Sequence, residues 1–195
     1  MELSSTSQRF ILHWGEMGTR WGVNRTVAQI HALLYLHGKP LPADEIAETL
    51  TVARSNVSNS LRELQSWNLV KVVHVMGDRR DHFETGTDIW ELTRTIVRER
   101  QEREIAPTTA LLKELLNDPE LMVDGLERAA RIKDMLTMLE ALSGWSDEML
   151  RLDTETLAKV LKLGAKIQKL LRGESVAVAE DAQTRVNAMG SMIGP

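Results

Sequence analysis

The sequence contains no cysteine, which excludes disulfides, thiolate chemistry and cysteine-based zinc sites. No uncharged apolar run approaches the roughly 20 residues that a membrane-spanning helix requires. The N-terminal stretch MELSSTSQRF lacks the basic-then-apolar layout of a secretory signal. Aromatic residues make up only 4% of the chain, whereas leucine, alanine and glutamate are abundant, a composition that favours helices. We therefore expect a mainly helical, cytoplasmic protein that has no membrane partner.

The sequence also lacks a recognisable set of catalytic or metal-binding residues. The five histidines all precede residue 83 and show no paired spacing typical of metal ligands. Glu16, Glu45 and Glu48 have no nucleophile or base partner at a recognisable spacing. The sequence therefore predicts no metal, no other cofactor and no enzyme chemistry.

The distribution of charge is uneven along the chain. The formal net charge is −4, which counts against a protein that coats nucleic acid without specificity. Residues 51–82 nevertheless carry five arginine and lysine side chains against three aspartate and glutamate side chains. A site-specific nucleic-acid binder needs only such a locally basic docking face.

A helix-turn-helix pattern followed by a hairpin occupies residues 42–85. The segment PADEIAETL predicts a short helix, and a second helix is predicted from about Arg54 to Trp67. At 100° per residue, the apolar side chains of this second helix share one face and the polar ones lie opposite. Valines at 70–75, a turn at Gly77 and a return through residues 82–85 predict a β-hairpin. The inward face comprises Val57, Leu61 and Leu64, and the outward face comprises Ser55, Asn59, Arg62 and Ser66.

The outward face of the second helix favours double-stranded DNA as the partner. Solvated helix faces are dominated by glutamate and lysine, whereas serine, asparagine and arginine can hydrogen-bond to base edges. The hairpin tip carries Arg79 and Arg80, which can reach phosphates or the minor groove, or can instead pair with Asp78 and Asp81. The alternative interpretation is a winged helix that docks a protein and does not contact DNA.

Helices are predicted on both sides of this segment. A first helix covers about residues 7–18, and Asn24 caps a second helix that ends at Gly38. We expect a charged helix over 89–105, broken by Pro107. Two further helices are predicted at 122–142, ending at Ser143 and Gly144, and from a cap at Asp153 or Thr154 to Gly173.

The last two predicted helices have apolar stripes that need a partner surface, and a second copy of the chain supplies one. We expect four regions along the chain: an N-terminal helix involved in dimer or effector contacts (1–24), a winged helix-turn-helix (25–87), a helical dimerisation region (88–173) and a weakly ordered tail (174–195). The fold class is thus mainly α, with a small hairpin wing and long dimerisation helices at both ends.

Three of the five tryptophans are candidates for a ligand site. Trp14 and Trp21 are seven residues apart and share a face if the first helix continues past Gly18. The faces of tryptophan rings attract quaternary ammonium groups. The alternative is that these rings are core or interface anchors, which is also the simplest interpretation of Trp67.

The segment LPADEIAETLTVARSNVSNSLRELQSWNLVKVVHVMGDRRDHFE resembles the winged helix of MarR-type regulators, and FILHWGEMGTRWGVNRTVAQIHALLYL resembles their GbsR-like branch. The similarity covers about residues 8–105. It implies a homodimeric bacterial transcription factor, usually a repressor, whose outer helices form the dimer. Two departures from the pattern are Ala53, where a capping serine is common, and Asn68, where glycine is usual.

The resemblance also implies which residues contact DNA and a possible effector. Arg54, Ser55, Asn56, Ser58 and Asn59 match the DNA-facing start of the recognition helix, and Arg79 and Arg80 match the arginines of the wing. The GbsR-like branch includes choline-responsive members. A small-molecule effector is therefore expected at the junction of the first helix, the helix from Asp88 and the dimer helices, with Trp14, Trp21 and Trp90 as candidate contacts.

Overall fold

The computed structural model describes residues 1–171, apart from the side chains of residues 122–124 and 165–171. The chain divides into two compact units with a boundary after Glu140. The elements of the first unit are α1 (Ser5–Arg20), α2 (Arg25–His37), β1 (Leu41–Pro42), α3 (Ala43–Leu50), α4 (Arg54–Ser66), β2 (Lys71–His74), β3 (Asp81–Glu84), α5 (Ile89–Arg100), a π-helical segment (Gln101–Ile105), α6 (Ala106–Leu116) and α7 (Pro119–Asp124). Helix α8 (Leu126–Arg151) crosses the boundary, and α9 (Thr154–Leu171) follows.

The protein is mainly helical with one small antiparallel sheet, as the sequence predicts. The strand order is β1-β3-β2, so that the hairpin of β2 and β3 is extended by the short β1. Phe83 of β3 lies opposite both Val72 and Leu41. A winged helix-turn-helix is therefore confirmed for the stretch from α2 to β3.

The core of the first unit is centred on α2. Ile30, Leu33 and Leu34 are almost completely buried, because α1 and α4 cover this helix on different sides. The inward face predicted for α4 is also buried, with Val57 and Leu61 at 0% and 1% exposure. This packing turns the opposite face of α4 towards solvent.

Helix α1 approaches α2 closely at two glycines. Gly15 and Gly18 are both buried. A Cβ atom added at Gly18 would lie 2.5 Å from the Cβ of Ala28, a distance that real Cβ contacts do not show. The absence of a side chain at Gly18 therefore sets how closely the two helices pack.

The predicted helix ends are confirmed where a local cap defines them. The side chain of Asn24 accepts a hydrogen bond from the Thr26 amide at 2.8 Å, and Gly38 ends α2 in the left-handed conformation. Asn68 has a φ of +53°, so it adopts the left-handed conformation just after the end of α4, which asparagine tolerates better than most residues. Asp153 accepts from the Thr156 amide at 2.9 Å at the start of α9.

Two predicted helix boundaries in the C-terminal half are wrong. Pro107 does not break the helical path, because it lies in the first turn of α6, where a missing N–H is tolerated. The helix expected over 122–142 is divided at Gly125, whose φ is +110°, and α8 continues through Gly144 to Arg151. A single glycine costs a helix interior only about 1 kcal/mol.

The predicted end of the last helix at Gly173 and the tail at 174–195 lie outside the described residues. No helix among the described residues is both long enough and apolar enough to cross a membrane.

Candidate nucleic-acid interface

Helix α4 presents a polar face to solvent along its N-terminal half. Ser58 is half-buried, and the other candidate contacts on this helix are exposed: Arg54, Ser55, Asn56, Asn59 and Arg62. The structure thus brings the six predicted side chains of α4 together on one accessible surface. We call this set the α4 face.

Two side chains of the α4 face are already ordered by a local hydrogen bond. The Nη2 atom of Arg62 donates to Oδ1 of Asn59 at 2.7 Å, and its Nε atom donates to the Ser58 carbonyl at 3.3 Å. The guanidinium is therefore held along the helix with no carboxylate attached to it among the described ion pairs. A base edge that binds here meets a pre-ordered Asn59–Arg62 pair.

The N-terminus of α4 has no side-chain cap, as expected from Ala53. The amides of Asn56 and Val57 bond back to the Ala53 carbonyl, at 2.9 and 3.1 Å. The first amides of the helix are therefore without a capping side chain, and the helix dipole places partial positive charge at this end. Arg54 adds a full charge there, so the end is suited to an anion such as a phosphate.

Arg80 of the wing is engaged by three carboxylates. Its Nη2 atom lies 2.6 Å from Oδ2 of Asp78, and its Nη1 atom lies 2.9 Å from Oδ2 of Asp44 in the first turn of α3. Glu45 lies at 3.5 Å. The side-chain hydrogen bond from Arg80 is the main cause that lowers the pKa of Asp78 to about 2. Arg80 therefore ties the wing to α3.

The sequence pattern treated Arg79 and Arg80 alike, whereas the structure distinguishes them. Pairing of Arg80 with Asp78 was foreseen as an alternative, but the pairing with α3 was not, because nothing local connects residues 36 positions apart. Asp81 pairs with His74 instead, at 3.9 Å. Arg79 is exposed and has no carboxylate partner among the described residues. The wing thus presents one unpaired arginine.

The C-terminal end of α4 is fastened to the end of α5 and to the π-helical segment by a cluster that sequence reasoning missed. Asn68 donates to Oε1 of Glu99 at 2.6 Å, and Arg103 donates to Oε2 of the same carboxylate at 2.9 Å. Arg103 also donates to the Ser66 carbonyl and lies over the Trp67 ring, 5.2 Å from its centroid. The hydrogen bonds from Asn68 and Arg103 lower the pKa of Glu99.

The only signal for this cluster in the sequence is the spacing of Glu99 and Arg103, which is typical of ordinary helix-surface ion pairs. We call the four residues Trp67, Asn68, Glu99 and Arg103 the α4 clamp.

A cavity of about 390 Å³ opens between α1, α2, the end of α4 and α5. Trp14 and Trp21 line it with ring centroids 6.3 Å apart and ring planes at 80°. Trp90, predicted with them as an effector contact, is not among the lining residues of this cavity, and Trp67 contributes the third indole. The walls comprise Trp14, Gly18, Trp21, Val23, Val27, Ala28, His31, Glu63, Leu64, Trp67, Leu69, Ile96 and Arg100.

Polar groups in the cavity wall are few. Burial lowers the pKa of His31 to about 4, so the ring is neutral near pH 7. Thr85 uses its hydroxyl proton on the Leu69 carbonyl at 2.7 Å, and therefore His31 Nε2 donates to Thr85 Oγ1 at 3.2 Å. Arg100 donates to the Trp21 carbonyl and to Glu104. Within the described residues, no group of three or more histidines and carboxylates is placed to hold a metal ion.

Comparison with known proteins shows which winged helices this one resembles. Residues 21–81, from the end of α1 to the start of β3, match the family model described as the MarR family. This segment is therefore similar to the winged helix of the MarR family. A solved transcriptional regulator aligns with a TM-score of 0.63 at 20% identity, covering 74% of this chain and 95% of that one. The two folds are therefore alike well beyond the segment that matches the family model.

Two proteins of Bacillus subtilis are similar in sequence to this chain. One, YvaV, is named as an HTH-type transcriptional regulator and is 20% identical over 145 residues, which cover 74% of this chain and 82% of YvaV. The other is the HTH-type transcriptional repressor OpcR, 22% identical over 136 residues, which cover 68% of this chain and 74% of OpcR.

Proposed function

We propose that the protein is a homodimeric, site-specific DNA-binding transcriptional repressor of the GbsR-like branch of the MarR family, and that a small molecule releases it from DNA. The observation that carries the proposal is the α4 face. It is polar, accessible and backed by the buried Val57 and Leu61, so that α4 is a rigid element with hydrogen-bonding side chains on its outer side. Similarity to regulators named as HTH-type supports the same function.

In the proposed docking, α4 enters the major groove of double-stranded DNA. Asn59 and Arg62 reach base edges, where an asparagine can pair with adenine and an arginine with guanine. Arg54 and the uncapped amides at the start of α4 bind a phosphate. The wing lies along the backbone, where Arg79 reaches a phosphate or the minor groove. Arg80 orients the wing through its ion pairs with α3.

The electrophoretic mobility of the intergenic DNA beside the protein's own gene tests this function. Purified protein should retard this duplex, and the affinity should fall steeply as salt increases, because each phosphate contact releases counterions. A scrambled duplex of equal length and composition is the control. No shift of any duplex, including those enriched by the protein from a random pool, would leave the winged helix as a protein-docking module.

The exposed apolar residues of α8 support the proposed homodimer. Met135 and Met138 are half exposed, and Trp145 has 61% of its surface accessible. A second copy of the chain covers these exposed apolar side chains, and the two-fold axis of the dimer then relates the two α4 helices. The interface also includes Leu157, Val160 and Leu161 of α9, whereas the side chain of Ile167, predicted with them, lies outside the described residues. Light scattering should give twice the monomer mass of 22.0 kDa at micromolar concentration.

The cavity supports the proposed effector. Three indole rings and the carboxylate of Glu63 line it, and both groups favour an organic cation with an apolar shell. Choline and betaine are the probes. Choline should quench tryptophan fluorescence and weaken DNA binding with the same midpoint, and betaine tests whether the ammonium group alone suffices. If neither compound changes fluorescence or DNA affinity, the quaternary-ammonium version of the proposal is wrong.

A further inference from the structure

One side chain belongs both to the cavity and to the clamp that fastens α4. Trp67 contributes to the cavity wall, and Arg103 covers the same indole at 5.2 Å from its centroid. Arg103 also donates to the carbonyl of Ser66, the last residue of α4. A displacement of the Trp67 ring therefore changes the position of Arg103, and with it the fastening of α4.

Helix α5 and the π-helical segment after it also contribute residues to both the cavity and the α4 clamp. Ile96 and Arg100 line the cavity, and Glu99 and Arg103 belong to the α4 clamp. Arg103 lies in the π-helical segment Gln101–Ile105. Such segments occur mostly as single turns inside helices and frequently at functional sites.

The clamp is the chief polar connection between the end of α4 and the rest of the first unit among the hydrogen bonds of the described residues. Only 11% of the Glu99 side chain is exposed, so the carboxylate that accepts both hydrogen bonds is largely buried. Breaking one of them leaves a buried carboxylate short of a partner, which is costly. The clamp is therefore suited to two discrete states, closed or open, rather than to gradual loosening.

We infer that the α4 clamp is the element through which the content of the cavity sets the position of the recognition helix: an occupant that displaces Trp67 opens the clamp and weakens DNA binding. Trp67, Glu99 and Arg103 are thus positioning residues that do not themselves contact DNA. The inference rests on the proposed DNA binding and holds for any occupant of sufficient size.

The absence of native cysteine allows an occupant of known size to be installed. In the variant Ile96→Cys, the new thiol is the only one in the protein. The thiolate attacks the sulfenyl sulfur of benzyl methanethiosulfonate, which attaches a benzylthio group as a mixed disulfide and releases methanesulfinate, and methyl methanethiosulfonate attaches a methylthio group in the same way. Mass spectrometry establishes complete modification. Val23→Cys, in the turn between α1 and α2, is the second variant.

The benzyl adduct should weaken binding to a duplex enriched by the protein from a random pool by about fivefold or more, the usual lower range of coupling between sites. The methyl adduct should have little effect. In an Arg103→Ala background the benzyl adduct should change DNA affinity by less than about twofold, because the contacts of Arg103 with Trp67 and Glu99 are already absent. Arg98→Cys, exposed on the same helix, is the matched control and should not respond to either reagent.

Equal effects of the benzyl adduct in both backgrounds, or none in either, would overturn the inference. Amide hydrogen exchange provides a readout that needs no DNA. The adduct should speed exchange at Trp67, Asn68 and Leu69, whose amides bond to Glu63, Gln65 and Leu64. If the parent protein binds no duplex, the proposed function is wrong. The inference about the α4 clamp is then still tested, because amide exchange that the adduct leaves unchanged would overturn it.

Discussion

Arg80 and Asp78 form a two-point ion pair within the wing. The Nε atom of the arginine lies 3.0 Å from Oδ2 of the aspartate, its Nη2 atom lies 2.6 Å from the same oxygen, and the Arg80 amide binds Oδ1 at 2.9 Å. The same guanidinium reaches Asp44 on α3. The wing is thus held by its own backbone turn and by a neighbouring helix, and the adjacent Arg79 remains available.

Arg79→Ala and Arg80→Ala should therefore differ in how they weaken DNA binding. Loss of Arg79 removes one phosphate contact, which should lower the slope of log affinity against log salt by about one for cognate and random DNA alike. Loss of Arg80 should leave that slope nearly unchanged and increase the mobility of β2 and β3, as measured by amide exchange. Salt titrations of both variants compare them directly. A reduced slope for Arg80→Ala alone would reverse the two roles.

Asn59→Ala and Arg62→Ala should change sequence discrimination rather than folding. Both side chains point away from the core, so the melting temperature should stay within about 2 °C of the parent, as expected for surface sites. Loss of a base-edge contact should cost roughly 1–3 kcal/mol of binding, concentrated at one or two base pairs. Affinities for a set of singly substituted duplexes measure this. A uniform loss across all duplexes would mean that these side chains bind the DNA backbone.

His31 should make the stability of the first unit depend on pH. Its pKa is lowered from 6.5 to about 4 by burial, so an unfolded chain binds a proton between these values and the native protein does not. Stability should therefore fall as pH decreases from about 6.5 to 4, by about 3 kcal/mol, since each pKa unit corresponds to about 1.4 kcal/mol.

Urea unfolding across this pH range measures the effect of His31. His31→Gln keeps a donor for Thr85 and removes the titration, so its stability should depend less on pH in this window. His13→Gln, on the exposed face of α1, should retain the parent's dependence. Equal pH dependence in all three proteins would show that the imidazole ring takes up protons freely in the folded state.

Gly18→Ala should destabilise the contact between α1 and α2. The new methyl group would meet the Cβ of Ala28 at 2.5 Å, and overpacking of this kind costs about 1–3 kcal/mol. Gly144→Ala is the matched control, because no atom lies within 4 Å of the added methyl and a helix gains up to about 1 kcal/mol from the exchange. Thermal melting of both variants should show shifts of opposite sign.

The sequence predicted those features that local spacing determines. The buried and exposed faces of α4, the Asn24 cap and the left-handed Asn68 all follow from neighbours within one or two helical turns. The partners of Arg80 and of Asn68 did not follow, since Asp44 and Glu99 lie 36 and 31 positions away. Contacts of this kind are set by how elements pack, which a periodic pattern does not specify.

The misplaced helix boundaries have a related cause. Gly125 and Gly144 look equivalent as helix breakers, yet one has a φ of +110° and the other continues α8. Glycine permits either conformation, so the surrounding chain decides. Trp67 packs partly buried against the core, as the sequence predicts, and it also lines the cavity, which its position at the end of α4 does not reveal.

The π-helical segment also determines the angular phase of the chain that follows. One extra residue per turn rotates every later side chain by about 100° relative to an uninterrupted α-helix. Leu112 of α6 is buried, so the rotation brings it into contact with the protein interior rather than with solvent. The same five residues that carry Arg103 therefore select which side of α6 faces inward, and a deletion of one residue there would turn Leu112 by about 100° away from the interior.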